Sequence, residues 1–246
     1  MMRGAHKAPP VATVVMPRPV LTRSRIVSAG VSVVGELGLS ALDLRTVARR
    51  VNSTATGVQR LVGATELVDA VVAQIVTAMP KVPTRGDRAK RIRMWAHQTR
   101  AWLIGYPGLA GHLLANRWDP TDALDRLEEV VTLLDGTDLR PGQALSTGVT
   151  LYWFVLGSAD LDTAARVIGG DAGVLMDAPS DRWPRLAPVM GDYSAASTAS
   201  QFSFGVDLLL EGIDRRVDDV VIRAKPRPPH RPPTRRTAER VRVVGT

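Results

Sequence analysis

The sequence predicts an all-α protein in which a small three-helix unit precedes a larger helical region. Apolar residues recur three and four positions apart along most of the chain, the pattern of helices with one buried side. Capping residues, prolines and glycines divide these stretches into separate helices. The sequence shows neither the apolar–polar alternation that marks strands nor a repeat period.

Residues 42–62, LDLRTVARRVNSTATGVQRLV, predict two short helices joined by a tight turn. Asp43 is a suitable N-cap for the first helix and Thr54 for the second. Asn52 lies in the turn, where it tolerates the left-handed conformation that ends a helix. The buried stripe of the first helix is expected to consist of Leu44, Val47, Ala48 and Val51.

The second helix of this pair is expected to span residues 55–62 and to bury Val58 with Leu61 or Val62. Its outward residues are small or polar, namely Ala55, Thr56, Gln59 and Arg60. A short helix with a flat polar face after such a turn is the form that enters a DNA major groove. An ordinary hairpin of two helices gives the same pattern, so these residues alone leave both interpretations open.

A further helix is predicted on each side of this pair. The upstream helix is capped by Thr22 and stops at Gly38, and the downstream helix follows Gly63 with Thr65 as its cap. The inward residues of the upstream helix are expected to be Ile26, Gly30, Val33, Val34 and Leu37. Together these helices are expected to form one domain over residues 21–79.

The segments TRSRIVSAG (22–30) and ELGLSALDLRTVARRV (36–51) resemble the opening motif of the tetracycline-repressor-like (TetR) transcriptional regulators. The resemblance implies a helix-turn-helix domain that binds double-stranded DNA, and it assigns a base-contacting role to Arg45. The residues implied at the DNA interface are Arg45, Thr46, Thr54, Ala55, Thr56, Gln59 and Arg60.

Three positions that usually grip phosphates depart from the pattern of that family. Its members usually carry an aromatic residue at Gln59, a small or histidine-like residue at Leu61 and a lysine at Thr65. Tyrosine, histidine and lysine at these positions usually grip phosphates, and losing such contacts lowers affinity and salt dependence together. Arg45, Arg49, Arg60 and the basic N-terminal residues can offset part of this loss.

A second helical domain is predicted over residues 87–219, after a short linker. Its helices are expected at 87–105, 107–115, 120–134, 141–157 and 198–217, with a brief one at 182–190. Residues 161–181 are expected to form a loop with one helical piece at 163–168.

Four segments of this region resemble the C-terminal domain of the same family in their order and spacing. They are TRAWLIGYPGLAGHLL (99–114), residues 124–139, GVTLYWFVLG (148–157) and FSFGVDLLLEGI (202–213). The resemblance implies an Ω-shaped homodimer joined by the helices at 141–157 and 198–217, and a pocket for an unknown small-molecule effector. The apolar residues of the last helix are Phe202, Val206, Leu209, Leu210 and Ile213, which could form the dimer contact or meet their own domain's core.

His97 and Arg100 lie one turn apart on a predicted helix and are candidates for the polar corner of an apolar effector pocket. If they line it, the effector is expected to be anionic or to accept hydrogen bonds, because arginine presents a fixed fork of donors. An exposed helix face with solvated charges is the alternative. Other candidate ligand-binding residues are Tyr106, His112, Asn116 and Tyr152.

Charge is concentrated at the two ends of the 246-residue chain. Residues 1–25 carry +5 and residues 224–246 carry +6, so the net charge of +8 leaves −3 for the remainder. Both ends are rich in proline, and disordered basic segments are expected at 1–20 and 224–246. Such segments commonly add non-specific attraction to phosphates, although a solubilising role without a partner is the alternative.

Several classes of protein are excluded or disfavoured. The chain has no cysteine, no signal peptide core and no apolar run long enough to span a membrane, which fits a cytoplasmic protein. It has no catalytic motif, so we expect no enzyme activity, cofactor or metal site. Two functions remain: a ligand-responsive repressor that binds a palindromic operator as a homodimer, and a dimeric small-molecule-binding protein that has lost specific DNA binding.

Overall fold

The computed structural model describes residues 20–115, 119–168, 181–189 and 197–224, and within these ranges the chain is helical without strands. Nine α-helices follow one another there: α1 (Arg23–Leu37), α2 (Leu44–Arg50), α3 (Ala55–Gln59), α4 (Ala64–Thr77), α5 (Arg88–Ile104), α6 (Leu109–Leu114), α7 (Pro120–Val131), α8 (Pro141–Ile168) and α9 (Thr198–Ala224). Short 3₁₀ turns lie at Leu39–Ala41, Thr132–Leu134 and Ala187–Val189. The predicted all-α fold is confirmed. The two predicted terminal tails fall largely on residues 1–19 and 225–246, outside the described residues.

The first three helices begin at the capping residues that the sequence indicated. Thr22 Oγ1 accepts a hydrogen bond from the Arg25 amide at 3.2 Å, and Asp43 Oδ1 accepts one from the Thr46 amide at 2.6 Å. Asn52 adopts the left-handed conformation, with φ of 54°. These local hydrogen bonds satisfy amides that have no partner within the helix, which fixes where each helix starts.

Three expectations for this domain are wrong in detail. The N-cap of α4 is Gly63 rather than Thr65, because the Glu66 carboxylate reaches back to the Gly63 amide at 3.3 Å. Helix α3 ends at Gln59, yet Val62 is still buried and Leu61 is exposed. Leu37 is also exposed, since it lies in the last turn of α1, past the region that packs on α4.

The C-terminal helices differ from expectation in several places. Helix α7 ends at Val131 rather than at 134, and the brief helix expected at 182–190 is only a 3₁₀ turn at Ala187–Val189 in the described residues. Helix α8 does not stop at Gly157 but continues to Ile168, through part of the predicted loop. A glycine inside a helix costs about 1 kcal/mol, and here the packing of α8 on α5, α6 and α7 offsets that cost. Helix α6 begins at Leu109 instead of Pro107, because Gly108 is left-handed with φ of 83°. Helix α9 runs past Val217 to Ala224.

One apolar cluster runs from α1 to α9 and contains buried residues of both predicted domains. The two parts also meet through their backbones, because the Leu39 amide donates a 2.8 Å hydrogen bond to the Pro107 carbonyl. No helix of the described residues is long and apolar enough to cross a bilayer. The core therefore holds the helix pair α2–α3 against the rest of the chain.

Candidate functional site

The helix pair α2–α3 presents most of the predicted DNA-contacting residues on one surface. The exposed members are Arg45, Thr54, Thr56, Gln59 and Arg60, and the half-buried members are Thr46 and Ala55. Thr54 Oγ1 accepts from the Gly57 amide at 3.0 Å, which fixes the start of α3. Val58, at the opposite side of α3, is fully buried. The short polar face of α3 therefore points outward while its apolar side anchors it.

The arginines of this domain divide into paired and available side chains. Arg23 forms an ion pair with Glu66, with Nη2 to Oε1 at 2.9 Å, and Arg50 forms one with Glu36. Arg45 and Arg60 form no side-chain hydrogen bond and no ion pair with the described residues. The free positive charge therefore lies on the α2–α3 surface, where a phosphate or a guanine edge could accept hydrogen bonds from it.

The positions that depart from the family pattern are all accessible. Gln59, Leu61 and Thr65 are exposed, so none has been recruited into the core in place of a phosphate contact. Gln59 and Thr65 retain hydrogen-bonding groups, whereas Leu61 can offer only apolar contact.

The Asp43 carboxylate makes the stability of the start of α2 depend on pH. The amide N–H of Thr46 donates to this carboxylate and lowers its pKa below the ordinary value for aspartate. Its stabilising effect is therefore complete above the ordinary pKa and is lost as pH falls through the lowered, folded-state pKa. We expect Asp43→Asn, which caps without titrating, to melt with a weaker pH dependence than the wild type between neutral and strongly acidic pH. If the melting temperatures of the two proteins changed equally with pH, this carboxylate would not contribute to the pH dependence of stability.

The predicted effector residues His97 and Arg100 meet the same aromatic ring. Arg100 is buried, and its guanidinium carbon lies 5.0 Å from the centroid of Phe202 in α9. The exposed His97 meets the edge of that ring, with centroids 5.1 Å apart. Arg100 also forms an ion pair with Asp162, with Nη2 to Oδ1 at 3.3 Å. Because this carboxylate neutralises Arg100, the reason for expecting an anionic effector is weakened.

The other candidate effector residues do not share one site. Tyr152 is buried and stacks on Trp95 with ring centroids 6.3 Å apart, and its burial raises the pKa of the phenol. Tyr106 is half-buried, with its ring centroid 5.3 Å from that of Trp102. His112 lines a cleft of about 990 Å³ between the N-terminal domain and the α6–α7 region. Asn116 lies outside the described residues.

Two buried donors on α5 were not singled out from the sequence. Thr99 is 1% exposed, and neither its Oγ1 nor Trp102 Nε1 has a hydrogen-bond partner among the described residues. Buried polar groups are normally paired, so such atoms call for an acceptor. The signal available in the sequence was a threonine on the apolar stripe of α5, four positions after Trp95.

The apolar face expected to form the dimer contact lies mostly inside the subunit. Phe202, Val206, Leu210 and Ile213 are buried in the core, and Leu209 is half-buried. A different set of large apolar side chains on α8 and α9 is exposed: Leu145, Trp153, Leu161, Phe204 and Leu208. Monomeric proteins rarely expose so many large apolar residues on two neighbouring helices, which indicates an interaction surface.

Comparison with known proteins identifies the class. Residues 79–217 match the family described as the tetracyclin repressor-like C-terminal domain, and this match covers more than half of the chain. The chain therefore belongs to the tetracycline-repressor-like family of transcriptional regulators, as the sequence motifs predicted.

Individual relatives agree with this assignment. The chain is 26% identical over 219 residues to the HTH-type transcriptional repressor DrrR1 of Streptomyces coeruleorubidus, covering 80% of this chain and 79% of that protein. Its fold is similar to that of apo ActR from Streptomyces coelicolor, with a TM-score of 0.62 and 22% identity over 81% of this chain and 97% of that one. ActR has also been crystallised with actinorhodin. A possible TetR family regulator from Streptomyces coelicolor A3(2) gives a TM-score of 0.69 and 23% identity over 79% of this chain and 99% of that one.

Proposed function

We propose that the protein represses transcription as a homodimer that binds a palindromic operator, with α3 of each subunit in a major groove. In this proposal residues 21–79 form the DNA-binding domain and residues 87–219 the effector-binding and dimerisation domain, in the cytoplasm. The observation that carries it is the α2–α3 surface, where Arg45 and Arg60 form no ion pair with any described residue while Arg23 and Arg50 are held by glutamates. A two-fold dimer places two such surfaces on two half-sites.

The proposed dimer contact is the outer face of α8 and α9. Its exposed apolar residues are Trp153, Leu161, Phe204 and Leu208. Pairing this face with a second copy would form a four-helix bundle that removes these side chains from water. The apolar area buried provides the driving force for association.

The proposed effector binds within the C-terminal domain, beside α5. Thr99 and Trp102 offer buried donors with no acceptor among the described residues, and the predicted residues Tyr106 and Tyr152 contact tryptophans of α5, whereas His112 lines the cleft beside the N-terminal domain. These residues would suit an aromatic or apolar effector that carries carbonyl or hydroxyl oxygens. Such a molecule would release DNA only if it binds the DNA-free arrangement more tightly than the DNA-bound one.

The second candidate function is a dimeric small-molecule-binding protein without specific DNA recognition. The observation that favours it is the exposed Leu61, together with Gln59 and Thr65, at positions where the family usually grips phosphates. If the alternative holds, the protein binds duplexes of every sequence equally.

The deciding experiment is a binding titration of Arg45→Ala against the operator selected by the wild-type protein from genomic fragments. Arg45 is a long side chain on this surface with no ion-pair partner among the described residues, and arginine to guanine is the commonest specific contact. We expect its removal to cost about 1–3 kcal/mol and to relax preference at one position of each half-site.

The matched control for this titration is Arg50→Ala, because Arg50 is held by Glu36. We expect this variant to retain operator affinity within a factor of about two. Equal affinity of the wild type for the selected operator and a scrambled duplex would leave the ligand-binding alternative.

A further inference from the structure

Helices α5 and α9 are joined side by side along most of their length. Arg88 Nη2 lies 2.5 Å from Asp214 Oδ1, and Arg93 Nε donates to Asp207 Oδ1 at 2.8 Å. Further along α5, His97 contacts Phe202. The partner's number falls as the number on α5 rises, so the two helices are antiparallel and connected by successive side-chain contacts.

The last of these connections is buried and also includes α8. The Arg100 guanidinium lies over Phe202, its Nε donates to Ser158 Oγ at 3.0 Å, and its Nη2 faces Asp162 Oδ1 at 3.3 Å. The same Asp162 oxygen accepts a 2.6 Å hydrogen bond from Thr198 at the start of α9. The side chains of Arg100 and Asp162 are only 10% and 7% exposed. One polar network therefore fixes α5, α8 and α9 to one another.

The exposed and buried ion pairs differ in how strongly they constrain the helices. Arg93 and Asp207 are each about half exposed, so water and salt weaken their attraction. The Arg100–Asp162 pair is shielded from solvent, and removing one partner leaves an uncompensated buried charge. Of the ion pairs that connect α5 to α8 and α9, the buried one therefore constrains the helices most strongly.

The network lies directly behind the apolar face proposed for the dimer. Asp162 follows the exposed Leu161 in α8, and Phe202 lies two residues before the exposed Phe204 in α9. Phe202 also stacks on Phe154 of α8 with ring centroids 5.3 Å apart. A change in this network would therefore shift the two exposed faces relative to each other.

We propose that the Arg100–Asp162 pair couples α5 to the dimer surface, setting the relative position of α8 and α9 that the second subunit recognises. This inference rests on the proposed homodimer. Arg100 is thus a positioning residue, and displacement of α5 by an effector would reach the subunit interface through it.

The test replaces the pair by apolar residues of similar size, singly and together, and compares stability with dimerisation. Arg100→Met and Asp162→Leu should each lower the melting temperature by about 10 °C, because each leaves a buried charge alone. The double variant should recover most of this loss. It should nevertheless show a dimer dissociation constant raised about tenfold in sedimentation, because the helices are no longer held in one arrangement.

The matched control is the double variant Arg93→Gln, Asp207→Asn, which removes an exposed pair between the same two regions of α5 and α9. Its dimer dissociation constant should stay within about twofold of the wild type. If the apolar double variant does not fold, Arg100→Lys tests the coupling instead. Lysine keeps the positive charge but loses the planar set of hydrogen-bond donors of the guanidinium. The lysine variant should be folded and weakened as a dimer.

A folded apolar double variant, or a lysine variant, with the wild-type dissociation constant would overturn the coupling role and leave a purely structural ion pair. A dimeric wild type that binds no operator would contradict the proposed function without affecting this result. A monomeric wild type would overturn both.

Discussion

Replacing Trp153 and Phe204 together by glutamate is expected to convert the proposed dimer into monomers. Their side chains are 63% and 66% exposed in the subunit, on the outer faces of α8 and α9. Burying a large apolar side chain contributes roughly 1.5–3 kcal/mol, and a two-fold interface uses each residue twice. Four buried charges in place of four rings should raise the dissociation constant by at least about a thousandfold.

Sedimentation at micromolar concentration measures this change, and operator affinity should fall with it because each subunit then binds a half-site alone. Leu124→Glu is the matched control, since Leu124 is 65% exposed but lies on α7, away from this face. A wild type that sediments as a monomer would refute the dimer, as would a double variant that stays dimeric.

A second large effect is expected from Gly30→Val in α1. A Cβ at position 30 would lie 2.5 Å from Val71 Cγ2 of α4 and 3.3 Å from Leu42 Cδ1. Because Val71 is fully buried, α1 and α4 must move apart to accept the new side chain. Overpacking of this kind costs about 3 kcal/mol, and it should disorder the support of α3 and abolish operator binding. Urea unfolding measures the loss of stability.

Gly35→Ala provides the opposite expectation on the same helix. The nearest atom to a Cβ at position 35 is Tyr106 Cε1 at 3.7 Å, an ordinary contact distance. Replacing an accessible helical glycine by alanine should therefore stabilise the protein by about 0.5–1 kcal/mol. If both glycine variants behaved alike, the close approach of α1 and α4 would not explain the effect of Gly30→Val.

The sequence was most informative where structure depends on neighbouring residues. Thr22, Asp43 and Thr54 each cap the helix they were expected to cap, because a cap needs only its own first turn. The continuation of α8 through Gly157 could not be predicted from neighbouring residues. It depends on packing against α5, α6 and α7, which are distant in the sequence.

The same distinction applies to the functional residues. Exposure of the α2–α3 surface follows from helical periodicity around buried Val47 and Val58, so its members could be chosen from the sequence. The environment of Arg100 could not, because its partner Asp162 lies in a stretch expected to be a loop. The sequence shows that a helix carries a charged side chain, but tertiary packing decides whether that side chain faces a ligand or another residue.

The hydrogen bond from Leu39 to Pro107 has a mechanical consequence. The N-terminal domain is tied to the rest of the chain both by the covalent connection after α4 and by this contact after α1. Gly38 makes the contact possible, because a Cβ there would lie 3.3 Å from the Pro107 oxygen and its φ is 85°. In the proposed dimer, a rotation of this domain about the line through these two connections would alter the distance between the two recognition helices while leaving the shape of each helix unchanged.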